Sequence, residues 1–290
     1  MPKILILGGT RYFGKRLVDL NLQEGNSVTI ANRGLTPDAF GNSVNRLHLD
    51  RLDTSSVKKA LSDSDWDIVY DQFCYSSLEA MNAVEALNGD VGHYVFTSTQ
   101  SVYEPTGEVS EKDFLPESHP ALISDRKATG YGEAKRRAEA VLFQKASFSV
   151  TAVRFSLVLG EDDYSGRLQF HLDRMKQGRA LVIPNLQSHV SLIHSSDAAE
   201  FLMLMGKKRF HGAVNACAEK VFTMNELLMM MEKETGQRAM VQAEGSAEDE
   251  TPFAGREDRY MSSKLARSLG GEFKSTEDWL PRLIHYYRSK

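Results

Sequence analysis

Tyr131 and Lys135 stand four residues apart in Tyr131-Gly-Glu-Ala-Lys135, inside a strongly helical stretch. On a helix, positions i and i+4 share a face. A phenol and an ammonium in one cavity form an acid–base pair: the ammonium lowers the phenol pKa and can also hydrogen-bond a ribose. The bland alternative is two solvated side chains, because this spacing arises by chance in many chains. A group of hydroxyls lies upstream, in Phe96-Thr-Ser-Thr-Gln-Ser101-Val-Tyr103. It closes an apolar run, and in open α/β sheets ligands bind outside the carboxyl ends of strands. A hydroxyl there can hold a substrate oxygen beside the tyrosine, or merely cap backbone groups at the strand end.

A third feature concerns anions. In Lys3-Ile-Leu-Ile-Leu-Gly-Gly-Thr-Arg-Tyr-Phe-Gly14, the unbroken apolar run Ile4–Leu7 suits a strand buried on both faces. Gly8 and Gly9 break it, and Gly14 opens a segment with Leu17, Val18 and Leu22 at helical spacing. A strand, a tight glycine turn and a helix N-terminus make a pyrophosphate site, since helix N–H groups and the macrodipole attract the anion. The string GGxxxxG matches the dinucleotide fingerprint GxGxxG only in part. The alternative is an ordinary strand–helix turn. On the binding reading, Gly9→Val should abolish binding and leave the fold intact.

These residues need elements to position them. Strands are expected at Ser27–Ala31, Arg46–Leu49, Asp67–Asp71, His93–Thr97 and Phe148–Arg154. Helices are expected at Lys15–Glu24, Ser55–Leu61, Leu78–Leu87 (closed by Asn88-Gly89) and Gly130–Lys145. This alternation predicts an α/β fold, a doubly wound parallel sheet of Rossmann type with right-handed crossovers. The long connection Val102–Thr129 has the length of a functional loop. Beyond residue 154 the pattern changes to helix Leu168–Gln177, short strands Ala180–Ile183, Val190–Ile193 and Ala213–Ala216, and helix Ser196–Met205 with Ser196 as N-cap. Thr223 and Glu226 form a capping box for a helix to Thr235, whose Met229-Met230-Met231 run is core packing rather than a metal or partner site. Glu244–Asp258 is expected to be an exposed, mobile loop, and helices Ser262–Leu269 and Thr276–Tyr287 finish the chain. The division expected is a dinucleotide-binding domain over 1–154, with return segments near 188–217, and a smaller C-terminal lobe over 155–187 and 218–290 for the substrate.

The 290 residues carry a net charge of −4 and 41% hydrophobic residues, ordinary for a globular enzyme and unlike a dedicated nucleic-acid surface. Only two cysteines, Cys74 and Cys217, occur, which fits a reducing cytoplasm. The early strand leaves no room for a secretory signal, and no apolar run approaches the ~20 residues that span a bilayer. The expectation is a cytoplasmic protein with no membrane contact. The eight histidines show no metal-ligand spacing, so no metal is expected; His194 reads as a packing or capping residue. No GxSxG elbow appears. Lys135-Arg136-Arg137 and Lys207-Lys208-Arg209 read as solvated helix ends, with an RNA surface as the lesser reading.

Taken together, the glycine turn, the hydroxyl-rich strand end, YxxxK, Val153-Arg154 with Leu159-Gly160, and Ile193-His194-Ser-Ser-Asp197 resemble the extended branch of the short-chain dehydrogenase/reductase superfamily, which includes nucleotide-sugar epimerases and dehydratases. The resemblance covers nearly the whole chain. It implies a triad of Thr99, Tyr131 and Lys135, in which the tyrosine exchanges a proton with a substrate hydroxyl or carbonyl while the nicotinamide exchanges a hydride. It implies a cofactor set of Gly8, Gly9, Thr10, Arg11, Tyr12, Phe13, Gly14, Asn32, Arg33, Asp50, Arg51, Phe73, Cys74 and Lys135, with Asp50 at the adenine. Arg11 replaces the family's middle glycine, and this GGTRxxG variant resembles an atypical subgroup that includes chloroplast stem-loop RNA-binding proteins. Asp71-Gln72-Phe73-Cys74 and Leu157 depart from the epimerase pattern at positions near the substrate. Asn32-Arg33, where NAD enzymes carry an acid, favours NADP over NAD because a guanidinium suits a 2′-phosphate. The resulting expectation is an NAD(P)-dependent oxidoreductase or epimerase/dehydratase acting on a small molecule, a sugar nucleotide among the options. The competing expectation is a non-catalytic RNA-binding or cofactor-sensing protein. Extended-family enzymes commonly dimerise through two helices, here Leu78–Leu87 and Gly130–Lys145. Ala134, Ala138, Val141 and Leu142 either form such a homodimer face or pack on the chain's own sheet.

Overall fold

The computed structural model describes residues 1–62, 65–87, 91–253 and 258–289. The expected helix end at Asn88-Gly89 lies outside the described residues. The first of two compact units comprises residues 1–103, 111–155 and 198–215. Its strands are β1 (Lys3–Leu7), β2 (Ser27–Asn32), β3 (Asn45–His48), β4 (Ile68–Asp71), β5 (Tyr94–Thr99), β6 (Val150–Phe155) and β7 (Gly212–Ala216). They form one sheet in the order β7-β6-β5-β4-β1-β2-β3. The pairs β1–β2, β1–β4, β2–β3, β4–β5 and β5–β6 are all parallel.

Ile4, Leu5, Ile6 and Leu7 are fully buried, as a strand covered on both faces requires. Leu7 stands level with Ala31 on one side and Asp71 on the other, and Asp71 with Phe96. The carboxyl ends of β1, β2, β4 and β5 therefore form one edge. Strand order reverses between β1 and β4, so that edge contains the switch point where such sheets bind ligands.

Four helices flank the strands: α1 (Tyr12–Gln23), α2 (Thr54–Leu61), α3 (Ser77–Ala86) and α4 (Tyr131–Lys145). Helices α3 and α4 pack against each other. Ala134, Ala138, Val141 and Leu142 are buried inside the chain, so these four side chains offer no face to a second copy. In the connection before α4, Ser124 N–H donates to Ser77 Oγ, and Arg126 Nε donates to Glu79 Oε1.

The second unit comprises residues 104–110, 156–197 and 216–290. Its helices are α5 (Arg167–Gln177), α7 (Met224–Thr235), α8 (Lys264–Ser268) and α9 (Thr276–Arg288), while α6 (Ser195–Lys208) belongs to the first unit from Ala198 onward. Short parallel pairs join Leu157–Leu159 to Leu192–His194, Ala180–Val182 to Met240–Gln242, and Gly107–Val109 to Arg259–Met261. The unit's core gathers Leu168, Leu172, Leu181, Leu227, Met231, Leu283 and Ile284. The Thr223–Glu226 capping box is present.

Three local expectations need correction. Helix α6 begins at Ser195, so Ser196 lies in its first turn rather than at the N-cap. The methionine run divides: Met231 is buried, whereas Met229 is 59% exposed. The stretch 247–253 is anchored rather than loose. Thr251 and Phe253 are buried, Thr251 N–H donates to the Val182 carbonyl, and Arg174 grips Asp249 and the Glu248 carbonyl. The sequence pattern hid this because the anchors come from α5 and the strand after it. Residues 254–257 of that stretch lie outside the description.

Candidate active site

At the glycine turn, Gly8 (φ +110°) and Gly9 (φ +84°) take conformations that other residues rarely adopt. A Cβ on Gly9 would lie 2.9 Å from Val18 Cγ2 and 3.2 Å from both Ile6 and Ile30 Cγ2. Gly9 is therefore needed for α1 to pack on the sheet, whatever binds there, and Gly9→Val would damage the fold itself. That corrects the expectation of a clean binding defect. A Cβ on Gly14 would meet Gly9 Cα at 3.5 Å and Gln72 Cγ at 3.7 Å, ordinary contacts.

Arg11 is extended (φ −138°, ψ 153°), a backbone any residue adopts, so no glycine is required where the family usually has one. The left-handed residue is instead Tyr12 (φ +55°). Such a conformation is strained for tyrosine. Its ring packs on Phe13 at 5.1 Å, and Phe13 packs on Phe155 at 5.5 Å. Thr10 is part-exposed on the turn. The first turn of α1 carries neither an acidic residue nor a side-chain cap at Arg11, which leaves it receptive to an anion.

Along the sheet edge, Asn32 Nδ2 donates to the Gly8 carbonyl at 3.4 Å, and Asn32 Oδ1 accepts from Gly34 N–H at 2.7 Å. Arg33 is exposed just beyond. Asp50 Oδ1 accepts from Leu52 N–H at 3.0 Å. The Arg51 guanidinium is buried, 2.8 Å from Asp71 Oδ2 and 3.2 Å from the Glu79 carbonyl. Burial opposes its charge, but the Asp71 carboxylate prevails and raises its pKa above the ordinary arginine range. Asp71 also accepts from Tyr94 Oη. Arg51 thus holds β4 and α3 together, and its guanidinium carbon lies 5.5 Å from the centre of the Phe73 ring. Phe73 approaches the glycine turn: a Cβ on Gly8 would lie 3.1 Å from Phe73 Cδ1. Burial, with the Asp71 charge nearby, pushes the Cys74 thiol up to about 12, so Cys74 contributes its backbone rather than a thiolate.

That backbone receives the lysine. Lys135 is buried, and its Nζ donates to the Cys74 carbonyl at 2.8 Å and the Thr97 carbonyl at 2.7 Å. It lies 4.2 Å from the Phe96 ring centre and 5.5 Å from that of Tyr75. Tyr131, one helical turn earlier, is 51% exposed, its ring 6.5 Å from Tyr75. Thr99 ends β5. Its Oγ1 accepts from Ser101 N–H at 3.2 Å, so it caps the following turn while sitting at the sheet edge. Lys135-Arg136-Arg137 is not a solvated cluster: the lysine is interior, and both arginines bind Glu133.

Several residues at this edge escaped the motifs. Gly132 lets α4 touch the strand end, because a Cβ there would lie 2.4 Å from the Ser101 carbonyl oxygen. Its only signal was a glycine in the first turn of a helix. Glu139, a further turn along the face of Tyr131 and Lys135, is buried; it accepts from Ser98 Oγ and pairs with the buried Arg154. The i+8 spacing from Tyr131 was visible. Arg126 lies 4.7 Å over Tyr75 and pairs with the buried Glu79. Gln72, after β4, has both carboxamide atoms buried and without a hydrogen bond. A glycine cradle, an uncapped helix start and an orphaned amide together fit a dinucleotide.

The model of the NAD dependent epimerase/dehydratase family matches residues 4–217, well over half of the chain. The chain belongs to this family. Its fold is similar to that of UDP-glucose 4-epimerase from Thermotoga maritima, with a TM-score of 0.77, 17% identity, and 99% of each chain covered. A mutant UDP-glucuronic acid 4-epimerase from Bacillus cereus, solved with UDP-4-deoxy-4-fluoro-glucuronic acid and NAD, gives a TM-score of 0.76 at 18% identity, again with 99% of each chain covered. MoeE5 in complex with UDP-glucose and NAD gives 0.75 at 21% over 99% of each chain. Among curated proteins, the chain is 28% identical over 250 residues to the chloroplast stem-loop binding protein of 41 kDa b from Arabidopsis thaliana. The match takes in 81% of this chain but only 63% of that relative's length. No helix among the described residues is long and apolar enough to cross a membrane.

Proposed function

We propose that this chain is an NAD(P)-dependent epimerase, dehydratase or reductase acting on a hydroxyl or carbonyl of a small molecule, with Tyr131 as general acid/base. A sugar nucleotide is the favoured substrate class, since the structural neighbours named above include complexes with UDP-glucose and NAD. One observation carries the reading. Lys135 is a buried cation with no carboxylate partner among the described residues, on the helix face of an exposed tyrosine and at the edge that holds the glycine turn.

The turn formed by Gly8, Gly9, Thr10, Arg11, Tyr12, Phe13 and Gly14 would hold the pyrophosphate, with Asn32 and Arg33 toward the adenosine ribose and Asp50 at the adenine. The bound nicotinamide supplies hydride exchange. Tyr131 Oη passes a proton to or from the substrate oxygen, and Thr99 orients that oxygen. The ammonium of Lys135 stabilises negative charge on Tyr131 as the proton leaves and donates to the nicotinamide ribose. Within this reading the first unit binds the dinucleotide and the second supplies the substrate lobe.

The test is to identify the nucleotide that co-purifies with the chain, to titrate NAD and NADP, and to follow the nicotinamide absorbance across a panel of UDP-sugars and simple carbonyls. Binding together with a substrate-dependent change supports the reading, and no binding of either dinucleotide overturns it. The name of the curated relative favours a second reading, nucleic-acid binding, against which the net charge of −4 stands. Salt-dependent retention of stem-loop RNA that is insensitive to Tyr131→Phe would support it.

A further inference from the structure

We infer that the Gln72 carboxamide binds the dinucleotide's pyrophosphate, a contact additional to the backbone of the glycine turn. The inference rests on the dinucleotide reading and gives that site a ligand of its own. Gln72 directly follows β4, beside β1, at the point where strand order reverses. Its Nε2 and Oε1 are both buried and hydrogen-bonded to nothing. A carboxamide offers two donor hydrogens and an acceptor oxygen, and burying them unmet destabilises the empty fold. Interiors rarely keep such groups without a reason.

The glycines show where this side chain starts. Gln72 Cβ lies 3.3 Å from the point where a side chain on Gly8 would begin, and Gln72 Cγ lies 3.7 Å from the same point on Gly14. Gly8 and Gly14 bracket the turn, and Gly14 is in the first turn of α1, where no acidic group or side-chain cap intervenes. The Gln72 side chain thus starts beside the first turn of α1, where the helix dipole favours an anion. Among neighbouring polar side chains, Asn32 serves Gly8 and Gly34, and Nη2 of Arg51 serves Asp71 and Glu79 while its Nε and Nη1 are, like the Gln72 amide, buried without a partner. A phosphate oxygen accepting from Gln72 Nε2 would satisfy the orphaned donor once the carboxamide, closed off from solvent in the ligand-free chain, rotates toward the turn.

The opposite signs of two measurements separate this role from a structural one. NAD and ADP are titrated by calorimetry into the full chain and into Gln72→Leu and Gln72→Glu, and the melting temperature of each ligand-free protein is recorded. Gln72→Leu should weaken both ligands roughly tenfold while raising the melting temperature, because an apolar group replaces an unmet amide. Gln72→Glu, of equal size but negative, should weaken both ligands further than leucine does; it also keeps the test readable if the leucine variant fails to fold. Unchanged affinity in Gln72→Leu, or in Gln72→Glu, overturns the contact and leaves the dinucleotide reading standing. Loss of affinity together with a lowered melting temperature in Gln72→Leu also overturns it, as general damage. If the parent chain binds neither NAD, NADP nor ADP, both the contact and the reading fall.

Discussion

Lys135 and Arg51 are both buried cations, and their surroundings assign them different work. Arg51 faces a carboxylate, so its charge is neutralised within the scaffold. Among the described residues Lys135 has carbonyl oxygens and aromatic rings but no carboxylate as partners, which leaves its charge available to a ligand. Lys135→Met is therefore expected to lower both turnover and dinucleotide affinity, read by steady-state kinetics and titration. Arg33, exposed beyond β2, is the residue we propose for coenzyme preference. Arg33→Ala should weaken NADP about ten- to a hundredfold and leave NAD unchanged, as a lost charge-assisted contact implies; equal NAD and NADP affinities in the parent would contradict this. The placement of Tyr131 and Lys135 on one helix and of Thr99 at a strand end was legible because a fixed spacing on a helix, or a place at a strand end, translates directly into position; their roles are part of the proposal. The Arg51–Asp71 pair was not legible, because strand pairing brings Asp71 in from 20 residues away. Gln72 registered only as a departure from a pattern; the glycines that enclose it are remote in sequence.

At the scale of elements, the order of strands and helices was readable from apolar runs and breaks, because a parallel sheet demands continuous burial. What the pattern lacked was distance between elements. Gly132 illustrates this: it reads as a weak helix former, yet it sets how closely α4 approaches the end of β5. Gly132→Ala places a Cβ against a backbone oxygen that cannot rotate away, so α4 must shift. The expected outcome is a loss of about 1–3 kcal/mol in stability and a fall in turnover toward 10²-fold, with dinucleotide affinity largely kept, measured by denaturation, kinetics and titration. The same reasoning disqualifies Gly9→Val as a binding probe, since Val18, Ile6 and Ile30 already fill that space.

Across the whole molecule, acid sensitivity is expected from a buried histidine of the second unit. His171 bonds the Arg167 carbonyl and Thr251 Oγ1, and burial lowers its pKa to about 4. The unfolded chain protonates this ring near pH ~6.5. Its stabilising contribution is therefore complete above that pH and is lost as pH falls toward 4. Denaturant unfolding should show His171 accounting for a loss of about 2 kcal/mol between pH 7 and pH 5, removed in His171→Gln. The central claim concerns Tyr131, which the fold leaves exposed at the carboxyl edge of a dinucleotide-type sheet. Tyr131→Phe keeps the ring and removes only the hydroxyl. The deciding measurement compares this variant with the parent in turnover of an identified substrate and in dinucleotide titration under the same conditions. Turnover reduced by roughly 10² to 10⁴ with affinity unchanged is the expected result; full turnover in Tyr131→Phe would contradict the assignment of that hydroxyl as the proton-transfer group.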